Sequence, residues 1–190
     1  MEAPSSQNRG QQRDRGGARR RRPMGDKREH SEFDQSIVDL SRVTRVTKGG
    51  KHMSFRACVV LGDKKGRVGY GLDKGKDVQM AVQKAANQVR KHLIHVPLVH
   101  GTVPHRVLGK FKAGRILIQP APKGSGVIAG SATRTVLELA GVQNASAKIL
   151  GTTKNKVSNV KATFAALSLF LPRTEQQAVA MREAGRESAD

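Results

Sequence analysis

The chain has few aromatic side chains and a single cysteine. Its 190 residues include no Trp, one Tyr and five Phe, which excludes one large aromatic core and leaves small modules packed from Val, Ile, Leu and Ala. Cys58, in the apolar stretch 57–61, has no partner for an internal disulfide or a cysteine-based zinc site. We therefore predict a buried free thiol.

Long apolar runs are also missing. No segment approaches the roughly 18 consecutive apolar residues of a membrane span. The first residues are polar and Arg-rich and lack the apolar segment of a secretory signal. We expect a cytoplasmic protein without a membrane span.

Acidic residues are scarce, with 15 Asp and Glu against 35 Lys and Arg and a formal net charge of +20. Between residues 40 and 170 the only acids are Asp63, Asp73, Asp77 and Glu138. Such scattered carboxylates make paired acid and base catalysis unlikely. A positive charge spread over the folded part instead favours a nucleic-acid partner.

Composition predicts four segments. Residues 1–30 form a basic extension, disordered when alone, that either contacts RNA during assembly or only aids solubility. Residues 31–97 and 98–171 form two small domains, and residues 172–190 form a polar tail of mixed charge.

The first domain is predicted to contain three strands and a helix. The strands cover 40–47, about 54–61 with one buried face, and 67–72. Apolar residues from Val78 to Leu93 recur at helical spacing after Asp77 as N-cap, and Val96-Pro97 ends this helix.

The second domain is predicted from turn residues and apolar spacing. In chain order it has strands 106–110 and 115–119, a loop over 120–130, a helix 131–140 stopped by Gly141, a strand 147–150, and a helix 158–170 with Val160, Phe164 and Leu167 on one face. Together the two domains are α+β.

We find no catalytic, metal or cofactor site. The glycines at 124, 126 and 130 have the wrong spacing for dinucleotide binding, and residues 69–76 have the wrong spacing for a P-loop. The histidines from His92 to His105 lack the complete tetrahedral set that zinc requires. The sequence predicts that the protein is not an enzyme.

Phosphate binding without catalysis is the remaining chemistry. Five cations cluster around the glycine pair Gly49-Gly50, where the backbone can approach a phosphate closely: Arg42, Arg45, Lys48, Lys51 and Arg56. The alternative is a solvated hairpin tip. Scarce aromatic side chains disfavour single-strand reading and favour recognition of folded RNA by shape.

Two further turns are weaker candidates. Lys64, Lys65 and Arg67 surround the next turn, where lysines also serve solubility. Lys123 and Ser125 lie in a glycine-rich loop that precedes the helix at Ser131, whose N-terminal N–H groups favour anions. A merely flexible connection is the alternative.

These residues also carry a family resemblance, over about 31–171. The stretches 42–51 (RVTRVTKGGK), 62–71 (GDKKGRVGYG), 119–122 (QPAP) and 136–141 (VLELAG), together with Phe55, Lys74 and the segment 124–130, resemble the signature of bacterial small-subunit ribosomal protein five.

The resemblance implies a fold and a place in the cell. It implies an N-terminal β-β-β-α domain like those that bind double-stranded RNA, and a C-terminal β-α domain with a left-handed β-α-β crossover. It also implies a structural constituent of the small ribosomal subunit that organises 16S rRNA near the messenger entry tunnel, with messenger RNA as a further candidate partner.

The same resemblance implies protein partners, namely ribosomal proteins four and eight, and no homo-oligomer. Gly126 and Arg134 match family positions at the contact with protein four, through which the protein influences translational accuracy. The hairpin 45–51 would reach toward the junction of head and body. Asp73 and Gln79 depart from the family pattern at the start of the first helix.

Two other classes remain open on the residues alone. A free-standing RNA chaperone or double-stranded-RNA binder would share the charge and the first domain, but it would not need the second. A nucleic-acid enzyme would need carboxylates or a metal cluster that the sequence does not offer.

Overall fold

A computed structural model describes residues 32–170, so the predicted extension 1–30 and tail 172–190 lie outside the described residues. The N-terminal half has five elements: β1 (Asp34–Thr47), β2 (Gly50–Gly62), β3 (Arg67–Gly75), α1 (Val78–Val89) and β4 (Ile94–His95). The strands form one antiparallel sheet in the order β1-β2-β3-β4. This confirms the predicted β-β-β-α order.

The C-terminal half is a second mixed sheet with two helices. Its elements are β5 (Val107–Phe111), β6 (Gly114–Pro120), β7 (Val127–Ile128), α2 (Ser131–Ala140), β8 (Ala145–Ile149) and α3 (Lys156–Leu167). The strand order is β5-β6-β8-β7, and β7 runs parallel to β8 with α2 between them in sequence. The α+β class is confirmed, and the hand of this β-α-β crossover stays a prediction.

Glycines let α1 lie close to the first sheet. A Cβ at Gly71 would meet the carbonyl of Ala85, and one at Gly75 would meet the backbone of Ala81. Ala81, Ala85 and Val89 on the facing side of α1 are fully buried. Small residues on both sides thus bring the helix backbone against β3, which explains a core with so few large side chains.

Strand β2 is buried on both faces, so the prediction of one buried face is wrong for its second half. Ala57, Val59 and Leu61 pack against α1, while Val60 belongs to the core of the C-terminal half. Side chains of β2 therefore contribute to two hydrophobic cores, one on each face of the strand. The core that contains Val60 includes residues from both sides of the predicted domain boundary between residues 97 and 98. That boundary stays a prediction.

Several boundaries differ from those predicted. Helix α1 ends at Val89 and not at Val96-Pro97, because Ile94 and His95 leave the helix to pair with β3. Leu93 nevertheless packs on the same core as α1, which accounts for the misleading periodicity. The predicted loop 120–130 contains the short strand β7, and β1 begins six residues before Leu40.

Other local predictions are confirmed. Asp77 caps α1, with its carboxylate accepting a hydrogen bond from the Val78 N–H at 2.7 Å. Helix α2 has the predicted bounds and ends at Gly141, whose φ is +87°. Cys58 is a buried free thiol, and burial, with help from the charge of Asp39, raises its pKa to about 11. No helix among residues 32–170 is long and apolar enough to cross a membrane.

Candidate nucleic-acid interface

The β1–β2 hairpin extends away from the core as an exposed arm. All residues from Thr44 to Met53 are exposed, and the strands stay paired out to Thr47 opposite Gly50. No Asp or Glu occurs between residues 40 and 62. The arm is therefore an exposed positive element held straight by backbone pairing.

The register divides the arm's cations between its two faces. Residues directly opposite in an antiparallel pair share a face, and alternate residues change face. Arg42 and Lys51 therefore lie on the same face of the hairpin, and nearer the core this face packs against α1. Arg45 and Arg56 lie on the other face. The structure brings the predicted cluster into one hairpin but gives it two sides.

The tip is a two-residue turn of Lys48 and Gly49. Gly50 has φ +134°, a conformation that favours glycine, and the Thr47 hydroxyl donates to its carbonyl at 3.1 Å. Nothing lies within 4 Å of a Cβ placed at Gly49 or Gly50. Packing does not require these two glycines, so their open backbone is available to a phosphate group.

The second turn, 63–66, is organised by Asp63. Its carboxylate is only 4% exposed and accepts from the Lys65 N–H at 2.7 Å, the Arg67 N–H at 3.0 Å and the Arg67 Nε at 2.6 Å. Burial raises the pKa of Asp63, but these hydrogen bonds and the Arg67 charge outweigh burial and hold the pKa below its ordinary value.

The turn also docks on the end of α2. The Lys64 N–H donates to the Leu139 carbonyl at 3.0 Å, and the Gly66 N–H donates to the Ala140 carbonyl at 2.9 Å. These bonds satisfy carbonyls that the helix end leaves free. The turn is thus part of the contact between the two halves of the fold.

Its three cations therefore differ in availability. Lys64 Nζ pairs with Asp34 at 2.7 Å, and the Arg67 guanidinium lies 5.2 Å from the Phe33 ring centre while it pairs with Asp63. The Lys65 side chain is exposed and has no ion-pair partner among residues 32–170. Lys65 is the cation of this turn most available to a ligand.

The glycine-rich loop is held by a residue that the sequence analysis missed, Asn144. This side chain is 8% exposed, and its Oδ1 accepts from the N–H groups of Gly124 at 2.9 Å and Gly126 at 3.2 Å. The Ser125 N–H donates to the Pro122 carbonyl at 3.2 Å, which closes a tight turn. No periodicity marks Asn144, because it acts on a segment 20 residues away.

The glycine-rich loop and the start of α2 contact different parts of the segment 144–149. Lys123 and Ser125 neighbour the glycines that bond to Asn144 and Ala145, whereas Gly130 at the start of α2 lies against Ile149. The strand β7 lies between them in sequence. A shared anion site of Lys123, Ser125 and the N-terminal N–H groups of α2 stays a prediction.

The two predicted protein-contact residues occupy different surroundings. Gly126 has φ +68° with open space where a Cβ would project. Arg134 lies on the exposed face of α2, and its Nε pairs with Glu138 at 2.7 Å. No hydrogen bond or ion pair joins Gly126 and Arg134 among the residues described.

The family model described as "Ribosomal protein S5, N-terminal domain" matches residues 33–97, and "Ribosomal protein S5, C-terminal domain" matches residues 109–180.

Three relatives share sequence over most of the chain. Small ribosomal subunit protein uS5 of Lawsonia intracellularis is 46% identical over 136 residues, 72% of this chain and 83% of that protein. The uS5 protein of Thermotoga neapolitana is 43% identical over 143 residues, 75% of this chain and 80% of that protein. Small ribosomal subunit protein uS5c of Spinacia oleracea is 52% identical over 136 residues, 71% of this chain but only 44% of that longer protein.

These matches agree with the exposed basic arm and the α+β fold, and they confirm the predicted structural, non-enzymatic role in the small ribosomal subunit, with rRNA and ribosomal proteins as partners. The chain belongs to the ribosomal protein S5 (uS5) family.

Proposed function

We propose that this chain organises small-subunit rRNA near the messenger entry tunnel by inserting the β1–β2 arm between RNA segments. The observation that carries the proposal is the arm itself. It is exposed from Thr44 to Met53, has cations on both faces and an open glycine tip, and has no acid to repel phosphate.

The two faces suit an element with RNA on both sides. Arg42 and Lys51 would meet one segment, and Arg45 and Arg56 the other. Lys48, Gly49 and Gly50 would approach a backbone end-on.

Two further groups of residues would supply secondary RNA contacts. They are Lys64, Lys65 and Arg67 at the second turn, and Lys123 with Ser125 in the glycine-rich loop. The ion pair of Arg67 with the buried Asp63 carboxylate supports a mainly structural role for Arg67, whereas the Lys64–Asp34 pair is exposed and contributes little to stability. Substitution of Arg67 should change stability more than RNA affinity, in contrast to Lys65.

The exposed surface around Gly126 and Arg134 would contact ribosomal protein four, with ribosomal protein eight as a further neighbour. Arg134 already shares its charge with Glu138, so a partner can compete for that pair without leaving a buried charge unpaired. The strength of this contact would influence translational accuracy by favouring or opposing closure of the subunit during codon recognition.

The test of RNA binding is a salt series with purified chain and small-subunit rRNA. The triple variant R45A/K48A/K51A should lose affinity more than 100-fold at moderate salt and bind with a shallower salt slope. The matched control K84A/R90A/K91A removes the same charges from exposed positions on and after α1 and should lose less than 10-fold. Equal losses in both variants would mean that only net charge matters and would refute the proposal.

The protein contact has its own readout. Arg134→Glu should weaken capture of purified ribosomal protein four and raise misreading in cells, while rRNA affinity stays within a factor of three. Unchanged capture and unchanged misreading would remove Arg134 from the contact.

A further inference from the structure

A second feature lies on the face of the first sheet that carries Cys58 and Val60, which we call the inner face. It lies next to the part of this face that the C-terminal half covers. Ser41, Arg56 and Lys74 are directly opposite one another on β1, β2 and β3 and form one row across that face. The next row toward the core contains Cys58, which is 1% exposed. The next row toward the arm's tip contains Ser54, which is half-buried.

Two polar atoms of this row are buried without a partner. Neither Arg56 Nε nor Ser41 Oγ has a hydrogen-bond partner among residues 32–170. Buried polar atoms in native proteins are nearly always satisfied, so a donor pair in this state calls for an acceptor beyond residues 32–170.

The surroundings are positive. Lys74 is exposed beside Arg56, and Lys161 of α3 borders the same face, where it lines a cavity of about 310 Å³ with Tyr70 and Leu72. The charges of Arg56 and Lys161 both lower the pKa of the Cys58 thiol, against the larger effect of its burial.

One acid, Asp39, lies close to this cluster. Asp39 lies one row toward the core, opposite Cys58, and forms no ion pair with Arg56, Lys74 or Lys161 within the described part of the chain. A planar guanidinium with a hydroxyl across the strand can bind two oxygens of one anion at once.

We propose that Ser41, Arg56 and Lys74, with Lys161 at the border, form a binding site for a single backbone phosphate of RNA on the inner face of the sheet. The site rests on the proposed RNA-binding function and makes it more specific. It adds an anchor at the base of the arm, three rows from the Thr47–Gly50 pair at the tip, that the sequence pattern alone did not assemble.

Substitutions of the charged and the neutral residues of this site should change the affinity for RNA and its salt dependence in different ways. In the salt series with full-length chain and small-subunit rRNA, Arg56→Met should weaken binding about 10-fold and reduce the salt slope by about one ion. Ser41→Ala should weaken binding about threefold with an unchanged slope, because it removes a hydrogen bond but no charge. Arg56→Lys should leave the salt slope unchanged, because the charge is kept. It should lose most of the affinity that the planar, bidentate guanidinium supplies.

Coupling between the two cations tests whether they share one phosphate. If they do, the double variant R56M/K161M loses clearly less than the product of the two single losses. Lys161 lies on the helix surface, so K161M and S41A carry the test if R56M fails to fold. Arg90→Met is the matched control and should change affinity less than threefold.

The outcomes separate this inference from the proposed function. Wild-type affinity and slope in R56M, S41A and K161M, with loss only in the arm triple variant, would overturn the site and leave the arm's role intact. A different result would assign the site to a free anion and overturn RNA as its ligand. In that case inorganic phosphate at constant ionic strength would stabilise the wild-type protein but not R56M, while R56M would bind rRNA with unchanged affinity.

Discussion

Gly141, the left-handed residue that ends α2, lies against the backbone carbonyl of Lys64, so close that a Cβ at position 141 would overlap the Lys64 oxygen. This contact joins the turn between β2 and β3 to the C-terminal half. It means that the first sheet carries the basic arm at one end and is fixed to the second half at the other.

Gly141→Ala should therefore destabilise the protein by about 3 kcal/mol, because it adds backbone strain at φ +87° and a clash with Lys64. Gly124→Ala is the control, since φ is +91° there and nothing lies within 4 Å of the added Cβ. It should cost only about 1 kcal/mol. Urea unfolding measures both, and equal losses would show that the contact does not hold the halves together.

The pKa of Asp63 predicts a pH-dependent contribution to stability. Because the folded pKa lies below its ordinary value of 3.8, the stabilisation is fully present above that value and disappears as pH falls through the folded pKa. Asp63→Asn should cost about 1–2 kcal/mol at pH 7, and the difference from wild type should shrink as the pH falls below the ordinary pKa of the carboxyl group. A difference that stays constant below that pKa would show that the carboxylate charge is unimportant.

Cys58 should react slowly with thiol reagents in the native protein. Its pKa of about 11 leaves few thiolates at pH 8, and the side chain is 1% exposed. Modification should become fast only in denaturant, and in native protein its rate should still rise above pH 9. Rapid labelling at pH 8 that levels off near pH 9 would contradict the buried environment.

Asn144→Ala should loosen the glycine-rich loop. It removes the acceptor of the Gly124 and Gly126 N–H groups, so hydrogen exchange of both amides should rise at least 10-fold and stability should fall by about 1–2 kcal/mol. Gln143→Ala, at the exposed neighbouring position, should leave both amides unchanged. Unaltered protection in Asn144→Ala would mean that other bonds order the loop.

The sequence predicts elements well where the signal is local. Asp77 as N-cap and Gly141 as helix stop each follow from one residue's own chemistry, and both are confirmed. The α1 end was misplaced because Leu93 continues the helical periodicity from outside the helix, and only pairing of Ile94 with β3 reveals this. The two-residue strand β7 is too short to show any alternation.

The candidate site shows the same division. The run of cations around Gly49 is visible in the sequence, but the assignment of Arg42 and Arg45 to opposite faces depends on the register. Asn144 acts across 20 residues, and the pairing of Lys64 with Asp34 across 30, so neither follows from spacing.

Directed cleavage of rRNA from the tip of the arm tests whether the arm inserts into RNA. Cys58→Ala removes the native thiol, and Lys48→Cys then provides one attachment point for an iron chelate that cleaves nearby RNA. In subunits assembled with this protein, we expect strong rRNA cleavage confined to a few adjacent sites from position 48. Cleavage no stronger than with free iron chelate would contradict the insertion of the arm into RNA.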